Sequence, residues 1–303
     1  MRSEEKTTPS GLILLNKQPG MTSFDSLRDI KRMLGTGKAG HTGTLDKFAE
    51  GLLLVLTGRA LKLSRWFTCC DKQYEGTICF GTETDTLDPE GSLVATAPLP
   101  ARDAVESVLH RFCGEIEQAP PVYSAVHVDG ERAYMLARRG NVPEMKKRRV
   151  SVYRLELLSW EPPHARIFVQ CSSGTYIRSL ARDIALAAGS RAHLSALVRT
   201  RVAGFSLEDA VKSEELEISN KRLFLRPIDK TVFDALGIPC FDISLEDSGK
   251  IVQGKPLMQI FGETPVFSGE LNNVAAFFLK EKFIAVIERQ NDKWKYGYVY
   301  ACN

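Results

Sequence analysis

The chain has 303 residues, of which 44% are hydrophobic and 25% charged, and its formal net charge is +3. These values are ordinary for a globular protein, and the length allows one large core with a small second domain. No stretch approaches the roughly 20 consecutive apolar residues of a transmembrane helix, so the sequence predicts no membrane association. The seven cysteines form no CxxC pair, and the charged N-terminus has no apolar signal-peptide core. We therefore expect a cytoplasmic protein with reduced thiols, without a disulfide framework or a structural zinc ion.

The order of polar and apolar segments predicts an α+β fold. Residues 1–10 are polar and are expected to be disordered, whereas the apolar run 11–17 predicts a buried strand that ends at a Pro-Gly pair. Ser23 is a candidate N-cap for a helix over 25–33, with Phe24 on its apolar face. Further strands are predicted over 52–57, 74–80, 150–158 and 167–171, and further helices over 104–112 and 176–188. Because strands outnumber long helices and no regular βαβ alternation occurs, we expect a mainly antiparallel sheet.

A domain boundary is predicted near residues 228–240, where proline and glycine interrupt the pattern. Beyond it, short apolar segments alternate with turns, at 251–252, 275–279, 283–287 and 296–300. This spacing is typical of a small β-barrel or half-barrel. The sequence therefore predicts two domains, over residues 11–230 and 231–303.

Charge is unevenly distributed along the chain. Over residues 127–149, seven basic residues face three acidic ones, and over residues 178–201 five arginines face one aspartate. Residues 231–303 carry seven basic and nine acidic side chains, a net charge of −2. Basic patches of this kind are typical of phosphate contacts, although a run of arginines is about as often a solvated face. The middle of the chain is thus the candidate nucleic-acid surface.

The most informative segment is the glycine-rich loop 38–46, with the sequence KAGHTGTLD. Two glycines flank His41 and Thr42, one carboxylate, Asp46, follows with no second acid until Glu50, and the apolar run 52–56 comes next. Glycine allows a tight turn or a close approach to a ligand, and a lone Asp beside an apolar segment suits a single nucleophile better than a metal cage. The alternative is a solvated turn in which the Asp caps the backbone. The loop alone does not decide between these interpretations.

This loop resembles the catalytic motif of the TruB-type tRNA pseudouridine-55 synthases, and further blocks follow in the order of that family. The first block resembles the family's Lys-Pro-x-Gly-x-Thr-Ser start, with Gln18 inserted between Lys17 and Pro19. The other blocks are Lys72-Gln73-Tyr74, residues 81–88, residues 118–125 with Gly130 and Tyr134, and a last block made of residues 174–180 and 192–194 with Leu197, Arg199 and Thr200, which gives six with the loop. Six blocks in the same order make the chain similar to this family over nearly its whole length.

The resemblance implies an isomerase that converts the uridine at position 55 in the T-arm of tRNA to pseudouridine. This reaction transfers no hydride or electron, so neither a cofactor nor a metal is expected. By family match, Asp46 is the nucleophile, Tyr74 lines the uracil pocket, and Arg178 is the cation that keeps Asp46 ionised. The match also implies substrate-binding roles for Lys17, His41, Asp88, His127, Arg138, Tyr176 and Leu197.

The family's fold is a mixed, mainly antiparallel sheet with a central cleft. In this chain the resemblance implies a catalytic domain over 11–230, an RNA-binding thumb inserted at about 120–150, and a PUA-like domain over 231–303. The T-arm of tRNA is then the expected partner of a monomeric enzyme that needs no other protein.

Two departures from the family pattern lie near the expected site. Lys47 stands where the family usually has Pro after the nucleophile, and His127 stands where a Lys usually follows the Tyr-Ser-Ala string. Neither departure changes the expected nucleophile, the Tyr or the Arg.

Three alternative functions agree less well with the sequence. A guide-RNA-dependent synthase of the dyskerin type usually has a larger, basic C-terminal module, in contrast to the net charge of −2 found here. A non-catalytic RNA-binding protein would be favoured if Asp46, Tyr74 or Arg178 were missing, and all three are present. A metal-dependent nuclease is disfavoured because the sequence lacks clustered carboxylates.

Overall fold

The computed structural model describes residues 9–128, 130–216, 221–262 and 273–300. The disorder predicted for residues 1–10 concerns a segment that lies, apart from its last two residues, outside the described residues. No helix in the described ranges is long and apolar enough to span a membrane.

The secondary-structure elements are numbered here in chain order. The strands are β1 (Gly11–Lys17), β2 (Ala39–His41), β3 (Glu50–Thr57), β4 (Lys72–Phe80), β5 (Thr82–Thr84), β6 (Leu93–Thr96), β7 (Gly114–Gln118), β8 (His127–Val128), β9 (Glu131–Arg132), β10 (Arg148–Glu161), β11 (His164–Cys171), β12 (Ala192–Val202), β13 (Phe205–Ser206), β14 (Val211–Lys212), β15 (Cys240–Asp242), β16 (Val274–Leu279), β17 (Lys282–Gln290) and β18 (Lys293–Val299). The α-helices are α1 (Leu27–Leu34), α2 (Ser64–Thr68), α3 (Arg102–Leu109), α4 (Ala133–Arg138), α5 (Ile177–Ala187), α6 (Lys221–Phe224), α7 (Lys230–Ala235), α8 (Leu245–Val252) and α9 (Leu257–Phe261). Short 3-10 helices cover Gly58–Leu63, His110–Phe112, Leu207–Asp209 and Ser213–Glu215.

A ten-stranded sheet forms the centre of the molecule. Its main path runs β14-β1-β3-β12-β4-β11-β10-β7, with β2 paired to β3 and β13 paired to β12. Of its described strand pairs, only β1 with β14 and β3 with β12 are parallel, and the others are antiparallel. The prediction of an α+β fold with a mixed, mainly antiparallel sheet is confirmed.

The burial of each strand follows from its sequence pattern. β4 alternates between buried and half-buried residues, because one of its faces packs on α3 and α5 while the other is partly open to solvent. β1 and β3 are instead continuous apolar runs, since both of their faces are covered. In β3, Leu53 and Val55 pack against α1, while Leu52 and Leu54 pack on the opposite side against apolar residues of 60–67. These strands give the glycine-rich loop a rigid support.

Helix α1 begins later than the sequence predicts, at Leu27. Ser23 is not its N-cap, because the Ser23 hydroxyl accepts a hydrogen bond from the Leu45 N–H at 2.8 Å and donates one to the Leu45 carbonyl at 3.0 Å. Phe24 is 69% exposed, so its predicted place on the buried face is wrong as well. The residues before the helix therefore serve to hold the glycine-rich loop.

The chain between β7 and β10 is an insertion in the large sheet. β7 pairs directly with β10, and the intervening residues form the β8–β9 hairpin and helix α4. This is the segment predicted to be a thumb, and its charged residues Arg138, Lys146, Lys147 and Arg149 are exposed. Its contact with RNA stays a prediction.

The C-terminal part forms a four-stranded sheet in the order β15-β16-β17-β18, packed against α8 and α9. Ile251 and Val252, predicted to belong to a β segment, are instead the last residues of α8. An apolar pair is too short for its period to separate a helix from a strand, which explains the error. The described strands form an open four-stranded sheet, so the β-rich C-terminal part is confirmed, and of the two predicted forms the closed barrel is not found among the described strands.

The C-terminal sheet shares an apolar core with the large sheet. Phe233 on α7 lies in one buried cluster with Leu12 of β1, Phe67 of α2 and Phe278 of β16. The Phe233 ring is centred 4.8 Å from that of Phe283 and 5.7 Å from that of Phe278. The two sheets are therefore distinct in sequence but continuous in packing, and the two-domain division stays a prediction.

Candidate active site

A cavity of about 320 Å³ lies beside β12, the strand between β4 and β3 in the large sheet. Segments that are distant in sequence line it, namely the loop 43–46, Thr68, Lys72 and Tyr74, residues 124–125 of the insertion, residues 174–178, and Leu197 with Arg199. Asp46 is the only carboxylate among the described residues that line this cavity.

The loop that carries Asp46 is held by side chains from other elements. Lys17, which is fully buried, donates a hydrogen bond from Nζ to the Ala49 carbonyl at 2.5 Å. The buried Arg199 donates from Nε to the Leu52 carbonyl at 2.7 Å and from Nη2 to the Gly43 carbonyl at 3.1 Å. With Ser23 bound to Leu45, these contacts fix the loop on both sides of its carboxylate.

Gly51 allows β3 to approach β12 closely at the end of this loop. Its φ is +104°, and a Cβ there would lie 2.5 Å from the carbonyl oxygen of Arg199. Glycine is the residue that tolerates both the positive φ and this contact.

Arg178 joins two carboxylates beside the cavity. Its Nη2 donates to Asp46 Oδ1 at 2.9 Å, and its Nε lies 2.8 Å from Asp46 Oδ2, so the guanidinium faces both oxygens. Its Nη1 donates to Asp88 Oδ2 at 3.1 Å and to the Thr86 carbonyl at 2.7 Å. The side chains of Arg178 and Asp88 are 4% and 7% exposed, whereas that of Asp46 is 34% exposed. Asp46 is thus the member of this network that a ligand can reach.

Opposing effects set the charge of Asp46. Burial raises the pKa of the Asp46 carboxyl above its ordinary value of 3.8, and the neighbouring Asp88 adds to that rise. The charge and hydrogen bonding of Arg178 lower the same pKa, and the charge of Lys17 lowers it to a smaller extent. Burial also lowers the pKa of Lys17, to about 8. Arg178 is therefore the main group that favours the ionised form of Asp46.

Tyr74 lies on β4 in the wall of the same cavity and is buried. It is paired in register with Arg199 of β12 and with Val169 of β11. Burial raises the pKa of the Tyr74 phenol above its ordinary value of 10.0, while the charge and hydrogen bonding of Arg199 act in the opposite direction. The phenol is therefore neutral at physiological pH, and it presents an aromatic ring to the cavity.

Helix α5 is attached to the base of the insertion, which fixes the position of Arg178. The side-chain oxygen of the buried Gln118 accepts a hydrogen bond from the Tyr176 N–H at 2.8 Å, and its nitrogen donates to the Tyr176 carbonyl at 3.1 Å. Arg178 Nη2 also donates to the Tyr123 carbonyl at 3.2 Å. The insertion therefore contacts the arginine beside Asp46 directly, through the Tyr123 carbonyl.

Five of the ten predicted site residues line the cavity, namely Asp46, Tyr74, Tyr176, Arg178 and Leu197. Two others act from behind it. Asp88 contacts Arg178, and Lys17 is 0% exposed, so that Lys17 supports the loop and has no surface for a ligand in this structure.

The remaining three predicted site residues lie away from the cavity wall. His41 ends β2, and its buried Nδ1 has no hydrogen-bond partner among the residues that the structure describes. Burial lowers the pKa of the His41 imidazole. His127 and Arg138 are exposed on the insertion, where the Arg138 guanidinium lies 5.5 Å from the centre of the Tyr134 ring. Their substrate contacts stay predictions.

Lys47, which replaces the family's usual Pro, links two loops of the site. Its Nζ forms an ion pair with Glu90 at 2.9 Å, and the Glu90 N–H donates to Asp88 Oδ1 at 3.0 Å. Both side chains of this ion pair are largely exposed, so we expect it to contribute less than about 1 kcal/mol to stability.

Known proteins are similar in sequence to the part of the chain that forms the cavity. The family model for the N-terminal domain of TruB family pseudouridylate synthases matches residues 31–177. The tRNA pseudouridine synthase B of Borreliella burgdorferi (strain ZS7) is 47% identical over 210 residues, which cover 68% of this chain and 74% of that protein. This chain belongs to the TruB family of pseudouridylate synthases. The tRNA pseudouridine synthase B of Azoarcus sp. (strain BH72) is 43% identical to this TruB-family chain over 251 residues, 82% of this chain and 83% of that protein.

A solved structure shares the fold of this TruB-family chain. A chain of a Cbf5-Nop10-Gar1 complex superposes with a TM-score of 0.70 at 26% identity, over 94% of this chain and 80% of that one. The family assignment made from six sequence blocks is therefore confirmed, together with the fold class that it implied.

Several residues that shape the site of this TruB-family protein were not predicted to belong to it, among them Ser23, Lys72, Gln118 and Arg199. The sequence does contain an indication for Arg199. In β12 the buried positions are otherwise apolar, and Arg199 occupies one of them. A charged residue at an inward position of a strand must find a partner or a ligand.

In the described part of the chain, no three His, Cys, Asp or Glu side chains come together in a metal-binding group.

Proposed function

We propose that this TruB-family protein converts the uridine at position 55 in the T-arm of tRNA to pseudouridine, with Asp46 as the nucleophile. The observation that carries the proposal is the position of Asp46, which is the only carboxylate in the described cavity wall and is held by Arg178 at 2.8–2.9 Å. The order of the motifs and the relatives named tRNA pseudouridine synthase B support tRNA as the substrate.

The proposed reaction breaks the C1′–N1 bond, turns the uracil, and forms a bond between C1′ and C5. An ionised Asp46 starts this sequence either by attacking the nucleoside or by taking a proton from the sugar. Since the reaction is redox-neutral, its steps call for nucleophilic and acid-base groups alone. Arg178 supplies the positive charge that keeps Asp46 ionised before the reaction.

The uridine must leave its stack to reach Asp46, which costs a few kcal/mol. Tyr74 offers an aromatic face and Leu197 an apolar wall, and stacking on such surfaces offsets part of that cost. The volume of about 320 Å³ is at the lower end of the range for small-molecule sites, which suits one flipped nucleoside.

The alternative is a guide-RNA-dependent synthase that works with partner proteins. The chain of the Cbf5-Nop10-Gar1 complex is 26% identical to this one, whereas the two tRNA pseudouridine synthase B relatives are 47% and 43% identical. This difference favours an enzyme that acts on tRNA without a guide RNA, and we propose that it works alone, as a monomer, in the cytoplasm.

The test uses the purified full-length chain and an unmodified tRNA transcript, with pseudouridine mapped by chemical modification and reverse transcription. We expect one pseudouridine, at position 55, and none in a matched transcript with cytidine at that position. If modification requires an added guide RNA and partner proteins, the alternative is correct.

The basic residues of the insertion are expected to bind RNA backbone. Replacing Lys146, Lys147, Arg148 and Arg149 together with Gln should weaken binding of every T-arm alike and flatten the salt dependence of the dissociation constant. A double Gln variant of Lys62 and Arg111, which are exposed outside both the insertion and the C-terminal part, is the control. Unchanged affinity and salt slope would show that the basic run is only a solvated face.

Removing residues 240–303 is expected to raise the KM for tRNA and to reduce saturating turnover by less than about tenfold. The C-terminal sheet contributes no described residue to the cavity wall, so its effect should be on binding. The cut exposes Phe233, which packs on Phe278 and Phe283, so the melting temperature should fall, and a cooperative melt must establish folding. A folded truncate that binds tRNA normally without turnover would show that the C-terminal part completes the site.

A further inference from the structure

The buried charges of the described residues are concentrated around the catalytic cavity and are mostly positive. The buried lysines and arginines in the described ranges are Lys17, Lys72, Arg178 and Arg199, and Asp88 is the one buried acid. With the partly exposed Asp46, this makes two carboxylates for four cations, and both carboxylates pair with Arg178. The cluster therefore has an excess of positive charge.

Among the described residues, the three other cations are held by backbone carbonyls and, in the case of Arg199, also by the neutral Tyr74 phenol. Lys17 points its Nζ to carbonyls behind the Asp46 loop. Lys72 Nζ donates to the carbonyls of Thr68 and Cys70, and the guanidinium of Arg199 donates to the carbonyls of Gly43 in the loop and Leu52 in β3. In the part of the chain that the structure describes, no ion pair involves any of the three.

Lys72 and Arg199 differ from Lys17 because they line the cavity itself. Arg199 is paired in register with Tyr74, two residues along β4 from Lys72, and burial together with the charge of Arg199 lowers the pKa of the Lys72 ammonium. Burying like charges without an anion is costly, and a functional site is a common reason for such an arrangement. The missing anion belongs in the cavity.

The proposed reaction supplies such an anion. The uridine base is neutral when it enters, and the electron pair of the C1′–N1 bond leaves with the base when that bond breaks. If Asp46 attacks C1′ it becomes a neutral ester, and if it removes the C2′ proton it becomes a neutral acid. If Asp46 adds to C6 of the ring instead, the ring becomes an enolate. In each case one negative charge moves from Asp46 to the pyrimidine.

We propose that Lys72 and Arg199 form an anion-stabilising wall for the uracil ring, which takes up the negative charge that leaves Asp46. This inference rests on the proposed function and adds two catalytic residues to it. The wall is matched to the charged state that develops during the reaction rather than to the neutral substrate, which is the arrangement that accelerates a chemical step. Once C1′ is bonded to C5, the C5 proton is lost, N1 takes up a proton, and Asp46 is again a free carboxylate, so the base is neutral when it is released.

The first experiment separates this role from a structural one. Lys72 also caps the C-terminal end of α2 through the Thr68 carbonyl, so a purely structural role would change the melting temperature without slowing chemistry in the folded enzyme. We expect Lys72→Met to slow single-turnover pseudouridine formation by about a hundredfold, with the tRNA dissociation constant within about threefold of wild type. Lys72→Arg should recover at least about a tenth of the wild-type rate, and Lys62→Met, at an exposed site outside the cavity wall, is the control.

A Lys72→Met enzyme that folds and reacts within about threefold of wild type would overturn the proposal. A wild-type protein that forms no pseudouridine at all would contradict the proposed function instead, so the two failures are distinguishable.

The second experiment needs no turnover. Binding of 5-nitrouracil, which is an anion at pH 8, is compared with binding of uracil, which is neutral at that pH, by titration of the wild-type protein. We expect the anion to bind at least about tenfold more tightly, with the preference retained in Lys72→Arg and lost in Lys72→Met. Equal binding of the two bases by wild type would overturn the proposal even if Lys72→Met does not fold.

Discussion

Asn in place of Asp46 is expected to reduce turnover below about a hundredth of wild type while tRNA binding stays within about tenfold. The amide keeps the size of the side chain and can still accept a hydrogen bond from Arg178, but it is neither a nucleophile nor a base. Because Asp46 is the only carboxylate in the described cavity wall, no neighbour is placed to replace it. The measurement is single-turnover pseudouridine formation in tRNA transcript, with binding followed separately by filter retention.

Asp71→Asn is the matched control for this variant, because Asp71 is exposed and its carboxylate contacts only the Tyr153 hydroxyl in the described residues. We expect the control to turn over at the wild-type rate. Turnover of Asp46→Asn above about a hundredth of wild type, with normal folding, would remove Asp46 from the role of nucleophile.

The parts of the fold that local pattern determines could be predicted from the sequence. The continuous apolar runs of β1 and β3 and the alternation of β4 each reflect how many faces of a strand are covered, and the structure shows the corresponding burial. Ser23 shows where this reasoning ends. A Ser before an apolar stretch is a typical N-cap, yet its hydroxyl binds Leu45, 22 residues away, and no local pattern contains that partner.

The sequence motifs predicted those residues of the candidate site that belong to a recognisable family block with an assigned role. The sequence indicated Asp46, Tyr74 and Arg178, but the roles of Lys72 and Arg199 depend on tertiary structure. The register of β4 against β12 places Tyr74 opposite Arg199, residues that are far apart in the chain. Whether a strand lysine or arginine is a solvated charge or a buried one follows from such pairings, which a single sequence does not contain.

Arg178→Met is expected to lower the rate much more than tRNA affinity and to make the remaining activity dependent on pH. Without the guanidinium, burial and Asp88 still raise the pKa of Asp46, and the main group that lowers it is gone. Asp46 should then hold a proton near neutral pH, and a neutral carboxyl is a poor nucleophile. We expect single-turnover rates of the variant to recover in part as the pH is raised from about 6 to about 9.

The stability of the same variant should change with pH in the opposite direction. A carboxyl whose pKa is higher in the folded than in the unfolded state binds its proton more tightly when folded. The free energy of unfolding therefore falls as the pH rises from about 4 through the folded pKa. Removing one partner of a buried ion pair also leaves Asp88 without its cation, which we expect to cost about 3 kcal/mol at neutral pH. Thermal melts across the pH range measure both effects.

Arg178→Lys is the matched control, because it keeps the positive charge but not the fork. One ammonium cannot face Asp46 and Asp88 at once as the guanidinium does, so its rate and its pH midpoint should lie between those of wild type and Arg178→Met. An arginine that served only to bind an RNA phosphate would behave differently, since its loss would weaken tRNA binding and leave the pH profile flat. The opposite slopes of activity and stability with pH therefore test whether Arg178 acts through the charge of Asp46.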